Sequence, residues 1–402
     1  MVERVIGYFS KKFSVLKSSF FKNSLRTTRR KLKISLAIFF CIFLFLLFRI
    51  LIYHAGFGAK LGQQIYLTAP KDVPIERTID IVMAFDDTYA QHSAAAMASI
   101  LLNCDASSRF RFHILDGEIS SDKKEKLLKL KKLRDFEITF YDMTKYDWSI
   151  FPDNHIHTSE TAYYRLRIPE ILPRNITKVL YLDGDIIVEQ DLKELWNIDL
   201  SDSALGAVED ANGINLGMRL GVSKKYFNSG VLLLNLDKFR QANSTKKIVK
   251  YIENNRKQIS YHDQDILNGM FSDQYKEIPL KWNAGHSMYV PDRHLKHTYT
   301  DDDALIARKN PGIIHFTENK PWYWGWIPHP LADEYWKYLK YTEFYSCAKR
   351  DFALSKVMPV YIAWVRSYFN QLIDELKCHL STESKFSGRA AKKLELSLPF
   401  LN

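Results

Sequence analysis

The sequence predicts an α/β domain built on a mostly parallel sheet, and three observations carry that expectation. From residue 79 onward, short apolar runs of strand character alternate with helical segments. Acidic residues stand directly after two of those runs, where open α/β sheets bind their ligands. The 402 residues, 46% hydrophobic and 26% charged, have a globular profile, which excludes collagen-like, low-complexity and wholly disordered chains. Four cysteines are too few for a disulfide scaffold, and no spacing among them resembles a zinc site.

Residues 1–33 are a basic tail with ten basic residues and one acid, Glu3. Of the net charge of +11, +9 lies in that tail and +2 over the other 369 residues. A nucleic-acid binder carries its charge on the folded domain, so no nucleic-acid partner is expected. Residues 34–53 are almost continuously apolar, interrupted by Arg49. At ~1.5 Å per residue this stretch spans the hydrocarbon core of a bilayer, with Arg49 near enough to one end to snorkel. The long basic region and the lack of a small-residue cleavage site argue against a removable signal peptide. The lack of a polar face argues against a buried soluble helix. A single-pass N-terminal transmembrane helix and a lipid membrane partner are expected, with the tail on the cytoplasmic side.

Residues 54–78 read as a stem, 79–331 as the main domain and 332–402 as a helical, basic C-terminal extension. Within the main domain, 79–85 is a strand and 89–102 an Ala- and Leu-rich helix. A second strand covers 110–115, and 120–133 is a Lys/Leu helix with Ser120 and Ser121 as caps. A third strand covers 136–141, and 161–172 is helical. Lys178–Leu182 is a short apolar strand that runs into Asp183-Gly184-Asp185. Asp86-Asp87 follows the first strand. His315 follows the apolar Gly312-Ile313-Ile314, with Lys320-Pro321-Trp322 just beyond. His262-Asp263-Gln264-Asp265 opens an apolar helix over 266–271. The chain has no P-loop, no G-x-G-x-x-G and no internal repeat.

Two carboxylates one glycine apart at a strand end repel unless a cation sits between them or one is protonated. Oxygen ligands suit Mg²⁺ or Mn²⁺, and a histidine such as His315 favours Mn²⁺. Such a cation bridges phosphate oxygens and stabilises a departing diphosphate. Lys320 can add a point charge to the same phosphates. Each group also has a plainer reading: Asp183-Gly184-Asp185 as a solvated turn, His315 as a hydrogen-bonded core residue, Asp263 as a helix cap.

The order and company of these groups resemble glycosyltransferase family 8, retaining enzymes of the GT-A fold. The likeness is to its bacterial lipopolysaccharide α-galactosyl- and α-glucosyltransferase branch. It runs from about residue 80 to 322. It rests on Asp80-Ile81-Val82-Met83-Ala84-Phe85-Asp86-Asp87, Tyr164-Arg165-Leu166, Lys178 through Asp185, Tyr226-Phe227-Asn228-Ser229-Gly230, Asp263-Gln264-Asp265 and His315 through Trp322. The resemblance implies a Rossmann-like mixed sheet, Mn²⁺ (or Mg²⁺) as cofactor and a UDP-hexose donor. It implies Asp183, Asp185 and His315 as metal ligands, and Ala84 and Asp86 at the uridine and ribose. Lys320 falls at the diphosphate, and Arg165, Asp210, Asn228, Asp263 and Gln264 fall around the donor sugar. The residue matching Gln264 lies beneath the anomeric carbon. An amide is a poor nucleophile there, so front-face transfer is expected, with Gln264 and Asp263 positioning and stabilising the sugar. Two positions depart from the family pattern: Thr88 stands where Asn is common, and Glu318 where Gly is common.

The expected function is retaining transfer of glucose or galactose to a glycan or glycolipid acceptor in cell-surface glycan synthesis, such as that of lipopolysaccharide. The alternatives are a non-catalytic, membrane-anchored sugar- or nucleotide-binding relative, and a metal-dependent phosphohydrolase. Residues 357–378 alternate Tyr361, Trp364, Tyr368 and Phe369 with Arg366 and Lys377, as an interfacial helix or a helix packed on the domain would. The tail charge puts the domain across the membrane, while bacterial nucleotide sugars are cytoplasmic. Both layouts therefore stand: the cytoplasmic face of a bacterial inner membrane, or the Golgi lumen of a eukaryote.

Overall fold

The computed structural model describes residues 77–152, 160–222, 225–289, 294–318, 320–322, 329–346 and 348. The chain divides into two compact units, 1–66 and 67–402, and every described residue lies in the second. The basic tail, the apolar segment 34–53, most of the stem and the aromatic stretch 357–378 lie outside the described residues. Among the described residues, no helix is long and apolar enough to cross a membrane.

Strand β1 (Arg77–Asp86) is buried along most of its length and feeds two cores. Ile79, Ile81, Met83 and Phe85 point to one face, and Val82 with Ala84 to the other. This is the period-2 alternation of a strand covered on both sides. Helix α1 (Ala90–Asn103) covers the first face. Its run of small residues, Ala94, Ala95, Ala96 and Ala98, is fully buried, and Asp86 accepts the Tyr89 N–H at 2.9 Å just before it. Strands β2 (Ser108–Gly117), β3 (Glu137–Asp142) and β4 (Lys178–Leu182) follow, then β5 (Ile186–Val188) and β6 (Leu205–Glu209). Helix α2 (Gly213–Leu220) closes on Gly221, whose φ of 73° gives the left-handed C-cap that glycine adopts freely. Strand β7 (Phe227–Asn235) leads to helix 244–255 and to helix α3 (His262–Phe271) on the second face. The described chain continues through β8 (Tyr275–Glu277), β9 (Ala284–Gly285), β10 (Ile313–His315) and helix α4 (Ala332–Leu339). Tyr335, Tyr338 and Leu339 build α4 into the core beside α1.

The main sheet has the order β3-β2-β1-β4-β7-β6-β8. Pairings on the β3 to β4 side are parallel, and β6 pairs parallel with β8. Strand β7 alone runs against both of its neighbours. Four of its six pairings are parallel, so the sheet is mixed and mostly parallel, as expected. A second sheet, β5-β10-β9, holds His315 at the end of β10 opposite Ile186, so Asp183-Gly184-Asp185 links the end of β4 in the main sheet to the start of β5 in the sheet that holds His315.

Three local expectations change. Residues 161–172 are not one helix: a 3₁₀ turn at Arg165–Arg167 separates Thr161–Tyr164 from Ile168–Ile171. Pro169 has no N–H to continue a helix through it, so a new helix starts one residue before it. Residues 120–133 form an α-helix only over Ser121–Leu128, and then tighten to 3₁₀. Ser120 holds the N-cap position but makes no side-chain capping bond; its N–H goes to Asp87 at 2.9 Å.

Candidate active site

The reversal of β7 builds the site. Because β7 is antiparallel to β4, its first residues lie beside the end of β4, with Leu182 opposite Val231. The Asp183 N–H donates to the Gly230 carbonyl at 2.9 Å. The Phe316 N–H donates to the Asp185 carbonyl at 3.0 Å, which brings the end of β10 to the same place. Asp183, Asp185 and His315 offer ligand atoms that all lie within 4.8 Å of one another. His315 Nε2 is 3.3 Å from Asp185 Oδ1 and 3.7 Å from Asp183 Oδ2.

Gly230 leaves the space that this cluster needs. A Cβ there would lie 2.7 Å from Asp183 Oδ2 and 2.9 Å from His315 Nδ1, closer than side chains approach. His315 Nδ1 faces Asn283 Oδ1 at 2.8 Å, leaving Nε2 toward the carboxylates. Two carboxylates and one imidazole, two of the three buried, suit a divalent cation of the Mn²⁺ type, and the residues present fit it.

Lys320 lies in the same cluster. Its ammonium pairs with Asp185 and with the Phe316 carbonyl. Burial alone would raise the Asp185 carboxyl, but Lys320 and His315 outweigh it and hold that carboxyl far below the usual range. Arg165, placed by the 3₁₀ turn, adds a buried cation beside the partly buried Lys320. It reaches Asp183 at 2.9 Å, Asp263 at 3.1 Å and the Ser229 carbonyl at 2.7 Å, and stacks over the Tyr181 ring. Tyr181 donates to Asp183 at 2.8 Å. Burial opposes the Arg165 charge, but Asp183 and Asp263 outweigh it, and the guanidinium stays ionised. Burial pushes the Asp263 carboxyl up to about 6, against the pull of Arg165.

Gln264 sits beside this group at the start of α3. Its Oε1 accepts the Ser229 N–H at 3.0 Å and its Nε2 donates to Asp210 at 3.3 Å. Asn228 also donates to Asp210, at 3.3 Å, and burial raises the Asp210 carboxyl. The first turn of α3 is fixed by Asp265, which accepts the Ser260 and Tyr261 N–H groups at 2.7 and 2.8 Å. His262 takes a left-handed φ of 46° in that turn. Such a conformation costs about 1–2 kcal/mol and persists only when its surroundings hold it. Asn268 ties α3 to the backbone of Phe227 through two bonds, at 2.8 and 2.9 Å.

Asp183, Asp185, His315, Lys320, Arg165, Asp210, Asn228, Asp263 and Gln264 are thus gathered at one end of the sheet. Ala84 and Asp86 stand at the end of β1, where Asp86 is engaged with the Tyr89 N–H. Glu318 and Thr88 are both exposed. Asn283, the Ser229 backbone and the tie made by Asn268 were not read as functional from the sequence.

A family model described as glycosyl transferase family 8 matches residues 80–324. The chain belongs to glycosyltransferase family 8. It is similar to General stress protein A of Bacillus subtilis (strain 168), 31% identical over 277 residues that cover 67% of this chain and 96% of that protein. It is also similar to a lipopolysaccharide 1,2-glucosyltransferase of Escherichia coli, 27% identical over 272 residues, 66% of this chain and 78% of that protein. Among solved structures it resembles the galactosyltransferase LgtC in complex with donor and acceptor sugar analogues. The TM-score is 0.57 at 29% identity, over 66% of this chain and 96% of that one. The mixed α/β sheet is the GT-A-like fold of these family 8 glycosyltransferases, and Asp183, Asp185 and His315 form its candidate metal site.

Proposed function

We propose that this chain is a retaining hexosyltransferase. It moves glucose or galactose from a UDP-sugar to a glycan or glycolipid acceptor in cell-surface glycan synthesis. The observation that carries the reading is the junction of two groups at one sheet end: the Asp183, Asp185 and His315 cluster, and the Gln264, Asp210 and Asn228 network. Asp183, Asp185 and His315 would hold Mn²⁺ or Mg²⁺. Bound there, the cation supplies Lewis-acid charge to the diphosphate oxygens.

The protein's own residues do the remaining work. Lys320, now paired with Asp185, turns to the diphosphate and adds a second positive charge. Arg165 neutralises Asp183 and Asp263 and keeps both in position. Asp210, Asn228 and Asp263 accept and donate to sugar hydroxyls. Gln264 presents an amide rather than a carboxylate, so a covalent sugar adduct on it is disfavoured. It steadies the positive charge that develops on the sugar, while the departing diphosphate takes the acceptor proton.

Gln264→Ala is expected to lower kcat by about 10²-fold, the scale of one lost transition-state dipole, with little change in donor affinity. Steady-state kinetics beside donor titration check this. A loss confined to donor affinity would make Gln264 a binding residue only. The anomeric configuration of the product, read by NMR, checks retention; an inverted product would overturn the assignment.

The reading includes a membrane anchor at 34–53, supported by its apolar length behind the basic tail. The domain then works at the cytoplasmic face of a bacterial inner membrane, or in the Golgi lumen of a eukaryotic host. The full chain is expected to stay with membranes through an alkaline carbonate wash, and residues 54–402 to remain in solution. Release of the full chain by carbonate would contradict the anchor.

A further inference from the structure

One residue joins the two halves of the site. Asn283 ends a 3₁₀ turn, Leu280–Asn283, and is 4% exposed. Its side chain lies between His315 and Asn228. Asn283 Oδ1 is 2.8 Å from His315 Nδ1, and Asn283 Nδ2 is 2.9 Å from Asn228 Oδ1.

The direction of these bonds follows from a fixed donor. The Gly230 backbone N–H can only donate, and it donates to Asn228 Oδ1 at 3.0 Å. That fixes the Asn228 amide with its oxygen toward Gly230 and its nitrogen toward Asp210. A group facing Asn228 Oδ1 must then donate, so Asn283 turns its NH₂ there and its oxygen toward His315. An oxygen at Nδ1 requires a proton on Nδ1. Neutral His315 therefore carries its lone pair on Nε2, the nitrogen that faces Asp183 and Asp185.

We propose that Asn283 is a positioning residue that sets the His315 tautomer and couples the metal site to the donor-sugar network. A continuous chain runs from the Gly230 N–H through Asn228 and Asn283 to His315, and a branch at Asp210 reaches Gln264. Metal binding and sugar binding then share one polar support, which is how the site senses both ligands together. The inference rests on reading Asp183, Asp185 and His315 as the metal site.

Two variants separate the ends of the relay. Asn283→Asp keeps an oxygen for the His315 Nδ1–H but has no donor for Asn228. Asn283→Ala has neither. In the full-length chain, Asn283→Ala is expected to lower Mn²⁺ affinity by about 10- to 100-fold, the effect of losing a partner behind a ligand. Asn283→Asp is expected to keep Mn²⁺ affinity at or above the unaltered level and to weaken UDP-sugar binding about tenfold, the cost of one buried hydrogen bond. Calorimetry with Mn²⁺ alone, and then with UDP-sugar at saturating Mn²⁺, reads both. Equal loss of Mn²⁺ affinity in the two variants, or none in Asn283→Ala, would overturn the proposal.

A second measurement needs no metal and reads the tautomer directly. In metal-free, ¹⁵N-histidine-labelled chain at mildly alkaline pH, His315 is expected to show the Nδ1–H tautomer, identified as the signal missing from His315→Gln. An Nε2–H tautomer would overturn the relay. If the unaltered chain binds no Mn²⁺ yet shows Nδ1–H, the relay stands and the metal reading fails.

Discussion

Asp183→Asn is expected to remove Mn²⁺-dependent donor binding and to lower transfer by about 10³-fold. That loss corresponds to about 4 kcal/mol of charge stabilisation at the diphosphate. The fold should survive the change. The amide keeps the shape of the carboxylate, and its oxygen can still accept from Tyr181 and from Arg165. Arg165 also retains Asp263 as a counter-ion, so no buried charge is left alone. Manganese titration of the variant beside a thermal melt tests the separation. A low affinity with an unchanged melt is the expected result, and unchanged turnover would remove Asp183 from the metal site.

Gly230→Ala is the second large effect, and it works through space rather than charge. The added methyl would sit 2.7 Å from Asp183 Oδ2 and 2.9 Å from His315 Nδ1. The strand itself has little freedom to move, because Gly230 accepts the Asp183 N–H and its neighbour Val231 pairs with Leu182. The side chains must give way, and His315 and Asp183 are the groups in contact. Metal affinity should fall by at least about tenfold, as when a ligand loses its orientation. Overpacking should also cost stability, about 1–3 kcal/mol. Gly230→Ala should therefore lower both the melt and the affinity, where Asp183→Asn lowers the affinity alone. A variant with Mn²⁺ affinity like that of the unaltered chain would show that the cluster tolerates the methyl and that its geometry is looser than described.

Much of the site was legible because its residues follow apolar strands. Lys178–Leu182 reads as a buried strand, and Asp183-Gly184-Asp185 ends it visibly. His262 to Asp265 opens a helix whose apolar positions are clear, so Asp263 and Gln264 could be assigned to its first turn. What the sequence hid was direction and distance. Nothing in Phe227–Asn235 says that it runs against β4, yet that reversal brings Gly230 and Asn228 to the Asp183, Asp185 and His315 cluster. Residues 161–172 look continuous by periodicity, and only Pro169 hints at the break that places Arg165. His315 follows an apolar run as expected, but that run belongs to a separate sheet. Asn283 could not be found from local pattern, because its partners lie 32 and 55 residues away and one Asn in a short turn carries no signal.

The most direct test of the central claim is calorimetry of the full-length chain with a panel of UDP-sugars, with and without Mn²⁺. The account predicts that one UDP-hexose, glucose or galactose, binds tightly with Mn²⁺ and far more weakly without it, and that Asp183→Asn abolishes the difference. Binding of every sugar with equal strength in the absence of metal, or of none in its presence, would contradict it.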